Sequence, residues 1–346
     1  LRAGESLPGF VAKSWSEIWS ARLNVASLPP ERVFFRVAQF PAASYAETLA
    51  KRYGHGVWGK DAPRRFFGDK HWAEPLKWNA AAERARAAAE HAQLGGAGGV
   101  LPARPRVFCA SMADVFEARG DLDFWRGRLA KLVEDTPALD WLLLTKRPQL
   151  AAHYLPLMFD RGEQSNLWFG TTAEDQERFD KRVDWLLREE LPAPIRFLSL
   201  EPLLGPIDLT EAWAVRDVMG DPSVPGGTMA CWTGRDSMGA PSVGWVIVGG
   251  ESGPGARPMH PDWARSLRDQ CAAAGVPFHF KQWGEWAPCV ETFDHICVKV
   301  PAETPGPKEP ALHEMTDGGH MARVGKAAAG RLLDGVEHNE FPGGAS

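Results

Sequence analysis

The stretch Ile195-Arg-Phe-Leu-Ser-Leu-Glu-Pro202 is mostly apolar and then ends abruptly in a carboxylate and a proline. Five other short runs have the same form, and polar or charged residues follow each of them at once. The six runs begin at Val107, Trp141, Leu167, Ile195, Val246 and Phe278. Because strands of a parallel sheet are buried on both faces, they read as nearly continuous apolar runs. The sequence therefore predicts about six parallel strands.

The segments between these runs have helical periodicity, with apolar residues spaced to line one face. These residues are Trp125, Leu129, Leu132 and Val133 in one segment, Phe179, Val183, Leu186 and Leu187 in a second, and Trp263, Leu267, Cys271 and Ala274 in a third. Arg126 falls elsewhere around the first helix. Alternating strands and helices predict an α/β fold, a partial or complete (β/α) TIM-like barrel.

The remaining sequence predicts additions to a single domain rather than a second domain. We expect an irregular N-terminal segment with helices over 1–100, a barrel core over 101–290 with a lid-like insertion at 212–243, and a C-terminal extension over 291–346. The Ala-, Glu- and Arg-rich stretch 80–93 predicts a helix, and the small-residue stretch 324–333 predicts a closing helix.

Bulk composition limits the classes of protein that remain. A chain of 346 residues, 44% of them hydrophobic, can bury a large core. The net charge of −5 gives no global basis for binding nucleic acid or a membrane surface, although a local basic groove is compatible with it. No apolar run approaches the roughly 18 to 20 residues of a membrane span. The five scattered cysteines indicate neither a disulfide framework nor a zinc ribbon. We expect a cytoplasmic protein without a membrane partner.

Polar residues follow the predicted strands at their carboxyl ends, where the βα loops of such folds converge and bind ligands. No catalytic residue is assigned, and a small-molecule or nucleotide-derived ligand is expected there. The candidate ligand-binding residues are Ser111, Asp114, Lys146, Arg147, Thr171, Glu174, Ser199, Glu201, Gly249, Gly250, Glu251, Ser252, Lys281 and Trp283.

Each candidate also has a structural interpretation. Gly249 and Gly250 allow backbone amides to approach a ligand, but an ordinary strand-to-helix turn has the same composition. The cations and carboxylates are equally consistent with an ion-pair network that closes the barrel end. Trp283 could stack on a base or pack in the core, and Ser111 and Asp114 could cap helices.

One segment, residues 52–72, mixes basic and aromatic side chains. Its cations Arg52, Lys60, Arg64, Arg65 and Lys70 are interleaved with aromatic residues such as Tyr53, Trp58, Phe66, Phe67 and Trp72. Such mixtures can hold a nucleic-acid backbone while bases stack on the aromatics. An exposed loop anchored by aromatic residues has the same pattern.

Six ordered strings carry a resemblance to a known family. They start at Ser111 (Ser-Met-Ala-Asp-Val-Phe), Leu144 (Leu-Thr-Lys-Arg-Pro), Arg196, Trp245, Phe280 (Phe-Lys-Gln-Trp-Gly-Glu-Trp) and Val324. Over about Trp15 to Phe341 the chain resembles the phage gene-product-37/68 family, a domain of unknown function. The resemblance implies a distant relation to the radical S-adenosylmethionine enzymes, with a partial barrel, S-adenosylmethionine and a [4Fe–4S] cluster held by three cysteines.

The chain departs from this family at the cluster ligands. The string Ser44-Tyr-Ala-Glu ends the motif, and matching outward from it places Phe34, Pro41 and Ser44 where the family carries cysteines. Proline and phenylalanine cannot ligate iron, and serine is a poor substitute for a thiolate. We therefore expect no intact cluster and no metal.

Two functional interpretations remain. In the first, the chain is a cluster-deficient member of this radical-enzyme-like family that keeps a polar pocket at the strand ends. S-adenosylmethionine is then the candidate ligand, and nucleic-acid modification is the chemistry that the resemblance suggests. In the second, it is a non-catalytic accessory protein that binds nucleic acid or another protein.

Overall fold

The computed structural model describes residues 68–95, 100–109, 114–160, 162–213, 242–292, 295–298 and 310–343. Two helices, α1 (Asp69–Trp72) and α2 (Glu74–Leu94), come first in this part of the chain. Helix α2 contains the predicted helix 80–93 and begins six residues earlier, with Pro75 in its first turn, where a missing N–H costs no hydrogen bond. Most of the predicted insertion 212–243 lies outside the described residues.

The six predicted strands form one parallel sheet. They are β1 (Arg106–Cys109), β2 (Asp140–Thr145), β3 (Leu167–Thr172), β4 (Ile195–Leu200), β5 (Val243–Gly249) and β6 (Phe278–Gln282). Neighbours in the chain are neighbours in the sheet, and every pair is parallel. The sheet curls into a half-barrel with helices between the strands. The predicted partial (β/α) barrel is therefore confirmed.

The helices that follow β1 to β5 cover one face of the sheet. They are α3 (Asp123–Glu134), α4 (Pro148–Met158), α5 (Gln176–Leu186), the short α6 (Thr210–Trp213) and α7 (Pro261–Ala274). The apolar residues predicted for α3, α5 and α7 belong to the core on this face, except Trp125, which stacks on Trp72 instead. Capping marks the ends of α7, because the His260 side chain accepts from the Asp262 amide and Gly275 adopts a φ of 66° just beyond it. None of the described helices is both long and apolar enough to cross a membrane.

Arg126 differs from the helical pattern, which placed it away from the apolar face. Its side chain is 4% exposed, and the guanidinium carbon lies 3.8 Å from the ring centroid of Tyr154. Its Nε donates to the Val115 carbonyl at 2.9 Å. An arginine can be buried when its guanidinium stacks on an aromatic ring and carbonyl oxygens accept from its N–H groups. The spacing of apolar residues does not reveal such burial.

The opposite face of the sheet, here called the inner face, has its own apolar cluster of Leu142, Trp168, Phe197, Trp245 and Ile247. Alternation along β5 separates the two faces, because Trp245 and Ile247 belong to this cluster while Val246 and Val248 belong to the helical core. The same alternation along β4 places Ser199 and Glu201 on the inner face with Phe197. Gly170 makes room there, since a Cβ on it would lie 2.5 Å from the Phe197 ring.

The C-terminal tail closes the amino end of the inner face. Phe341 stacks under the Arg106 guanidinium at 4.1 Å and lies 5.3 Å from the His279 ring, so it contacts both the first and the last strand. The Trp245 Nε1 donates to the Glu340 carbonyl at 2.9 Å. Asn339 forms an isolated antiparallel bridge with His279. The tail therefore joins the two edges of the half-barrel at this end.

A second sheet, which the sequence did not predict, follows the half-barrel. Its strands are β7 (Trp286–Thr292), β8 (His295–Val298), β9 (Ala311–Glu314) and β10 (His320–Arg323), in the antiparallel order β8-β7-β10-β9. The predicted helix over 324–333 is wrong in extent, because only α8 (Lys326–Ala329) is helical. Gly325 and Gly330 bound it with φ values of 87° and 69°, which a right-handed helix cannot contain.

Candidate functional site

The loops at the carboxyl ends of the strands, here called the carboxyl edge, contact one another directly. The Leu203 amide, after β4, donates to the Gly249 carbonyl at the end of β5 (3.0 Å). The next amide, of Leu204, donates to the Glu174 carbonyl after β3 (2.8 Å). Three successive strand ends are thus held together by backbone bonds, so the polar residues they carry are brought to one place.

A buried ion pair lies on the inner face at this edge. The Lys281 Nζ is 3.0 and 2.9 Å from the two carboxylate oxygens of Glu201. The Glu201 side chain is 0% exposed and that of Lys281 only 7%. Burial lowers the pKa of Lys281 below its ordinary value, although the charge of Glu201 opposes this shift. Removing either partner would leave an uncompensated charge in a region of low dielectric.

A β-bulge directs a second donor to the same carboxylate. Val248 pairs with Phe280, but Gly249 pairs with Gln282, so Lys281 is the extra residue of β6. Consecutive side chains of a regular strand point to opposite faces, whereas a bulge re-aims one of them. The Gln282 Nε2 consequently donates to Glu201 Oε1 at 3.0 Å. Gln282 was not among the predicted site residues, because regular alternation would place it on the face opposite to Lys281.

Glycines allow two loops to cross in contact. A Cβ on Gly250 would lie 2.0 Å from the Trp283 carbonyl oxygen, and one on Gly284 would lie 2.0 Å from the Glu251 carbonyl oxygen. Gly249 faces Glu201, whose carboxylate carbon would be 3.2 Å from an added Cβ. The glycines of the predicted ligand loop are therefore needed for the two loops to pass so close to each other. The Ser252 Oγ lies 3.4 Å from Gln282 Nε2.

Glu174 is the centre of a larger ionic cluster. Lys146 bonds to its Oε1, and Arg182 donates to its Oε2 at 3.0 Å. Arg178 lies 3.7 Å from Oε2. Burial raises the pKa of Glu174, but the charges and hydrogen bonds of Lys146 and Arg182 outweigh it and leave the pKa below its usual value. The carboxylate is therefore held ionised.

Asp114, which follows β1, accepts hydrogen bonds from residues at the carboxyl end of β2. The Thr145 hydroxyl donates to it at 2.9 Å, and an Arg147 terminal nitrogen lies 2.9 Å from its Oδ2. The neighbouring Thr171 hydroxyl donates to the Thr145 carbonyl. The adjacent cations Lys146 and Arg147 therefore bind different carboxylates, in agreement with the alternation that predicted opposite directions for them.

Glu251 and Trp283 are both buried by neighbouring chain. Glu251 is 2% exposed and accepts from the Arg257 Nε at 2.8 Å, a second guanidinium nitrogen at 3.0 Å and the Arg257 amide at 2.8 Å. Trp283 packs its ring against Phe280, and its Nε1 donates to the Leu332 carbonyl at 2.8 Å. Of the two roles predicted for Trp283, these contacts are those of core packing.

Ser199 is the one predicted candidate whose side chain has no polar contact in the part of the chain that the structure describes. It is fully buried, and its Oγ has no hydrogen-bond partner there. It lies on the inner face between Phe197 and Glu201. Buried hydroxyls are nearly always paired, so an unpaired one next to a charged pair calls for an explanation.

Several predicted residues lie outside the described part of the chain, namely Ser111, Arg52, Lys60, Arg64, Arg65, Phe34, Pro41 and Ser44. Lys70 is described and is exposed on α1. Beside it, Trp72 stacks on Trp125 at 5.7 Å, with the Arg128 guanidinium 4.6 Å from the Trp72 ring. At this end of segment 52–72 the aromatic residue anchors the chain to α3.

The residues missed by sequence reasoning are mostly arginines that complete the clusters. Arg178 and Arg182 follow Glu174 at intervals of four residues, which is the spacing of one helix face. This interval could have identified both arginines as partners of Glu174 from the sequence. Arg257 binds Glu251 through a loop of six residues that has no such periodicity.

No group of described residues provides a convincing metal site. The ligand atoms of His260, Asp262 and Asp317 lie within 4.8 Å of one another. However, His260 Nδ1 accepts from the Asp262 amide, so a neutral ring carries its proton on Nε2, which is 2.9 Å from Asp317. Burial raises the pKa of Cys109 to about 12 and also raises that of Cys271. Neither thiol belongs to the group of potential metal ligands found among the described residues.

The fold and site define a half-barrel protein with a charged carboxyl edge. Residues 35–342 match the model of a family described as Protein of unknown function (DUF5131), and the chain belongs to this family. No curated protein and no solved structure matches the chain.

Proposed function

We propose that the protein binds a small zwitterionic ligand of the S-adenosylmethionine class on the inner face, at the carboxyl edge. The observation that carries this proposal is the buried Glu201–Lys281 pair, to which the bulge adds Gln282. An amino-acid zwitterion offers the same two charges, so its ammonium can donate to Glu201 and its carboxylate can accept from Lys281. The Glu201–Lys281 pair is then replaced by two charge-assisted pairs, one between Glu201 and the ligand ammonium and one between Lys281 and the ligand carboxylate.

The six motifs that resemble those of the phage gene-product-37/68 family support this ligand class, since that resemblance implies S-adenosylmethionine. Ser199 supports it independently, because its hydroxyl has no partner among the described residues and lies on the same face, two residues before Glu201. S-adenosylmethionine would supply a sulfonium group and an activated methyl or adenosyl group when bound. The residues described here would hold its charged end and exclude water from it.

The proposal does not include a [4Fe–4S] cluster. Phenylalanine, proline and serine stand at the three positions that match the family's cysteines. Cys109 and Cys271 do not fit the role either, because one lies on β1 and the other on α7, and among the described residues neither belongs to a group of three potential metal ligands. The protein is thus proposed to be a cluster-deficient member of a radical-enzyme-like family, and no redox step is assigned to it.

Isothermal titration with two adenosine derivatives tests the proposal. S-adenosylhomocysteine carries the amino-acid zwitterion, whereas 5′-methylthioadenosine lacks it. We expect the former to bind at least ~10-fold more tightly, which corresponds to about 1.4 kcal/mol. Equal affinities, or no binding of S-adenosylhomocysteine, would contradict the proposal.

Anaerobic reconstitution with iron and sulfide tests the second part. We expect a colourless protein without bound iron after desalting, and unchanged affinity for S-adenosylhomocysteine. A brown protein with the visible absorption of an iron–sulfur cluster would show that other thiols hold the metal, and that part of the proposal would be wrong.

A further inference from the structure

We infer that Gln282 is a positioning residue that determines the specificity of the proposed ligand site. By fixing the carboxylate of Glu201, it restricts the site to zwitterions whose ammonium and carboxylate are attached to one carbon atom, as in an α-amino acid. This inference rests on the proposed function, because it names the feature of the ligand that the same site selects.

Three contacts hold the Glu201 carboxylate in one orientation. Lys281 bonds to both of its oxygens, and the Gln282 Nε2 donates to Oε1 at 3.0 Å. Gly249 closes a third side, because a Cβ there would lie 3.2 Å from the carboxylate carbon. A carboxylate with two bonded donors and a close backbone neighbour has little freedom to rotate. The direction in which it accepts from a ligand is therefore set.

Gln282 is itself held in place and keeps a donor in reserve. It is 5% exposed, and its carbonyl accepts from the Gly250 amide at 2.9 Å. Besides its bond to Glu201, the side-chain Nε2 lies 3.5 Å from the Gly250 carbonyl oxygen and 3.4 Å from Ser252 Oγ. Good N–H···O bonds are about 2.7–3.2 Å long, so these two contacts are weak. The second N–H of the amide is thus a donor that a ligand carboxylate can use.

A neutral amide suits this position better than a cation. Glu201 and Lys281 carry opposite charges, and Gln282 adds a hydrogen bond to the carboxylate without adding a charge. A lysine or arginine in its place would compete with the ligand ammonium for Glu201. Gln282 therefore orients the carboxylate and leaves its charge for the ligand.

The two charged groups of the site are in contact, and the sheet keeps them close together. Lys281 Nζ lies 2.9 Å from Glu201 Oε2. Strand β5 separates β4 from β6 and pairs with both, and the Leu203 amide bonds to the Gly249 carbonyl just after Glu201. A ligand can meet both groups only if its own charges are adjacent. An α-amino acid fulfils this condition, whereas a β-amino acid has one more carbon between its charges.

Isothermal titration of the full chain with S-adenosylhomocysteine and its β-amino isomer tests the inference. The isomer has the same atoms and charges, but its ammonium is attached one carbon further from the carboxylate. The informative variant is Gln282→Met, which keeps the length of the side chain and removes its donors. The matched control is Gln270→Met, because Gln270 on α7 also donates to a carbonyl, that of Ile207, at 3.0 Å.

We expect the wild type to bind S-adenosylhomocysteine ~10-fold more tightly than the isomer. Gln282→Met should lower this ratio to about 2-fold, because the released carboxylate can then turn toward a displaced ammonium. Gln270→Met should keep the wild-type ratio. A purely structural role of Gln282 would weaken both ligands equally, so an unchanged ratio in Gln282→Met would overturn the inference.

Gly249→Ala tests the same orientation from the opposite side and serves if Gln282→Met does not fold. The added Cβ should displace the Glu201 carboxylate by a few tenths of an ångström and also lower the ratio. A ratio equal to that of the wild type would overturn the inference.

The wild type alone separates this inference from the proposed function. Equal binding of S-adenosylhomocysteine and its isomer would overturn the inference and leave the proposed function in place. No binding of S-adenosylhomocysteine would overturn both.

Discussion

The two ends of the inner face belong to one sheet but differ in chemistry. At the amino end, Trp168, Trp245 and Phe341 pack together and the C-terminal tail covers them. At the carboxyl edge, Ser199 lies on β4, Glu201 directly follows that strand and Lys281 lies on β6. Aromatic packing dominates the first end, although the Arg106 guanidinium stacks on Phe341 there and Trp245 donates to the Glu340 carbonyl. Packing does not explain the second, where charges are buried at a cost in desolvation.

The largest expected effect is at the amino end. Trp245 is fully buried, contacts Trp168, Phe197 and Phe341, and donates to the Glu340 carbonyl. We expect Trp245→Ala to lower the free energy of unfolding by about 3–5 kcal/mol, because it creates a large cavity. Urea unfolding measures this loss. Trp245→Phe should recover a large part of it, and a loss below about 1 kcal/mol would contradict the packing assignment.

At the carboxyl edge, loss of one member of the ion pair should have a similar but smaller effect. We expect Lys281→Met to destabilise the protein by about 3 kcal/mol, because Glu201 then remains as a buried, uncompensated charge. The double variant Glu201→Leu/Lys281→Met should be more stable than Lys281→Met, yet it should not bind S-adenosylhomocysteine. Retained binding by the double variant would show that the pair serves stability alone.

His279, at the amino end, should make the stability of the fold depend on pH. Burial, together with the charges of Arg331, Lys281 and Arg106, lowers the pKa of His279 to about 3. An unfolded histidine titrates near 6.5, so between these values the unfolded state binds one more proton. This group therefore stabilises the fold above about pH 6.5, and its contribution is lost as the pH falls.

We expect His279→Phe to reduce the decline in stability between pH 6 and pH 4 by about 1.4 kcal/mol per pH unit. Urea unfolding at several pH values measures it. His153→Phe, at an exposed position of α4, is the control and should follow the wild-type profile. Identical profiles for wild type and His279→Phe would contradict the assignment.

The smallest effect should come from a matched pair of serines. Ser199 and Ser242 are both buried, and neither hydroxyl has a partner among the described residues, but Ser242 precedes β5 at the amino end. Either change to alanine should alter stability by less than about 1 kcal/mol, because no existing bond is lost. Ser199→Ala should weaken S-adenosylhomocysteine binding about 5-fold, and Ser242→Ala should not. Equal effects would remove Ser199 from the site.

The sequence predicts those features of the structure that a short run of residues encodes. The parallel sheet was predictable because burial on both faces leaves continuous apolar runs, as in β5. The second sheet was not, because strands such as β9 (Ala311–Glu314) are short and exposed on every residue. Strand ends predicted Glu201, Lys281 and Glu174 as neighbours, since parallel strands bring their carboxyl ends together.

What could not be predicted depended on local breaks in regular geometry. Gln282 reaches Glu201 only because of the bulge at Lys281, and alternation assigns it to the other face. Arg126 is buried because carbonyl oxygens of a preceding loop satisfy it. Neither the register of one strand pair nor the path of a loop is encoded in periodicity.

Hydrogen–deuterium exchange with and without S-adenosylhomocysteine tests the contrast between the two ends most directly. We expect the ligand to slow exchange in peptides covering 199–204, 249–253 and 281–285, and to leave the tail peptide 336–343 unchanged. Protection confined to the tail and the amino ends of the strands would contradict the account, because it would place the ligand at the end that packing closes.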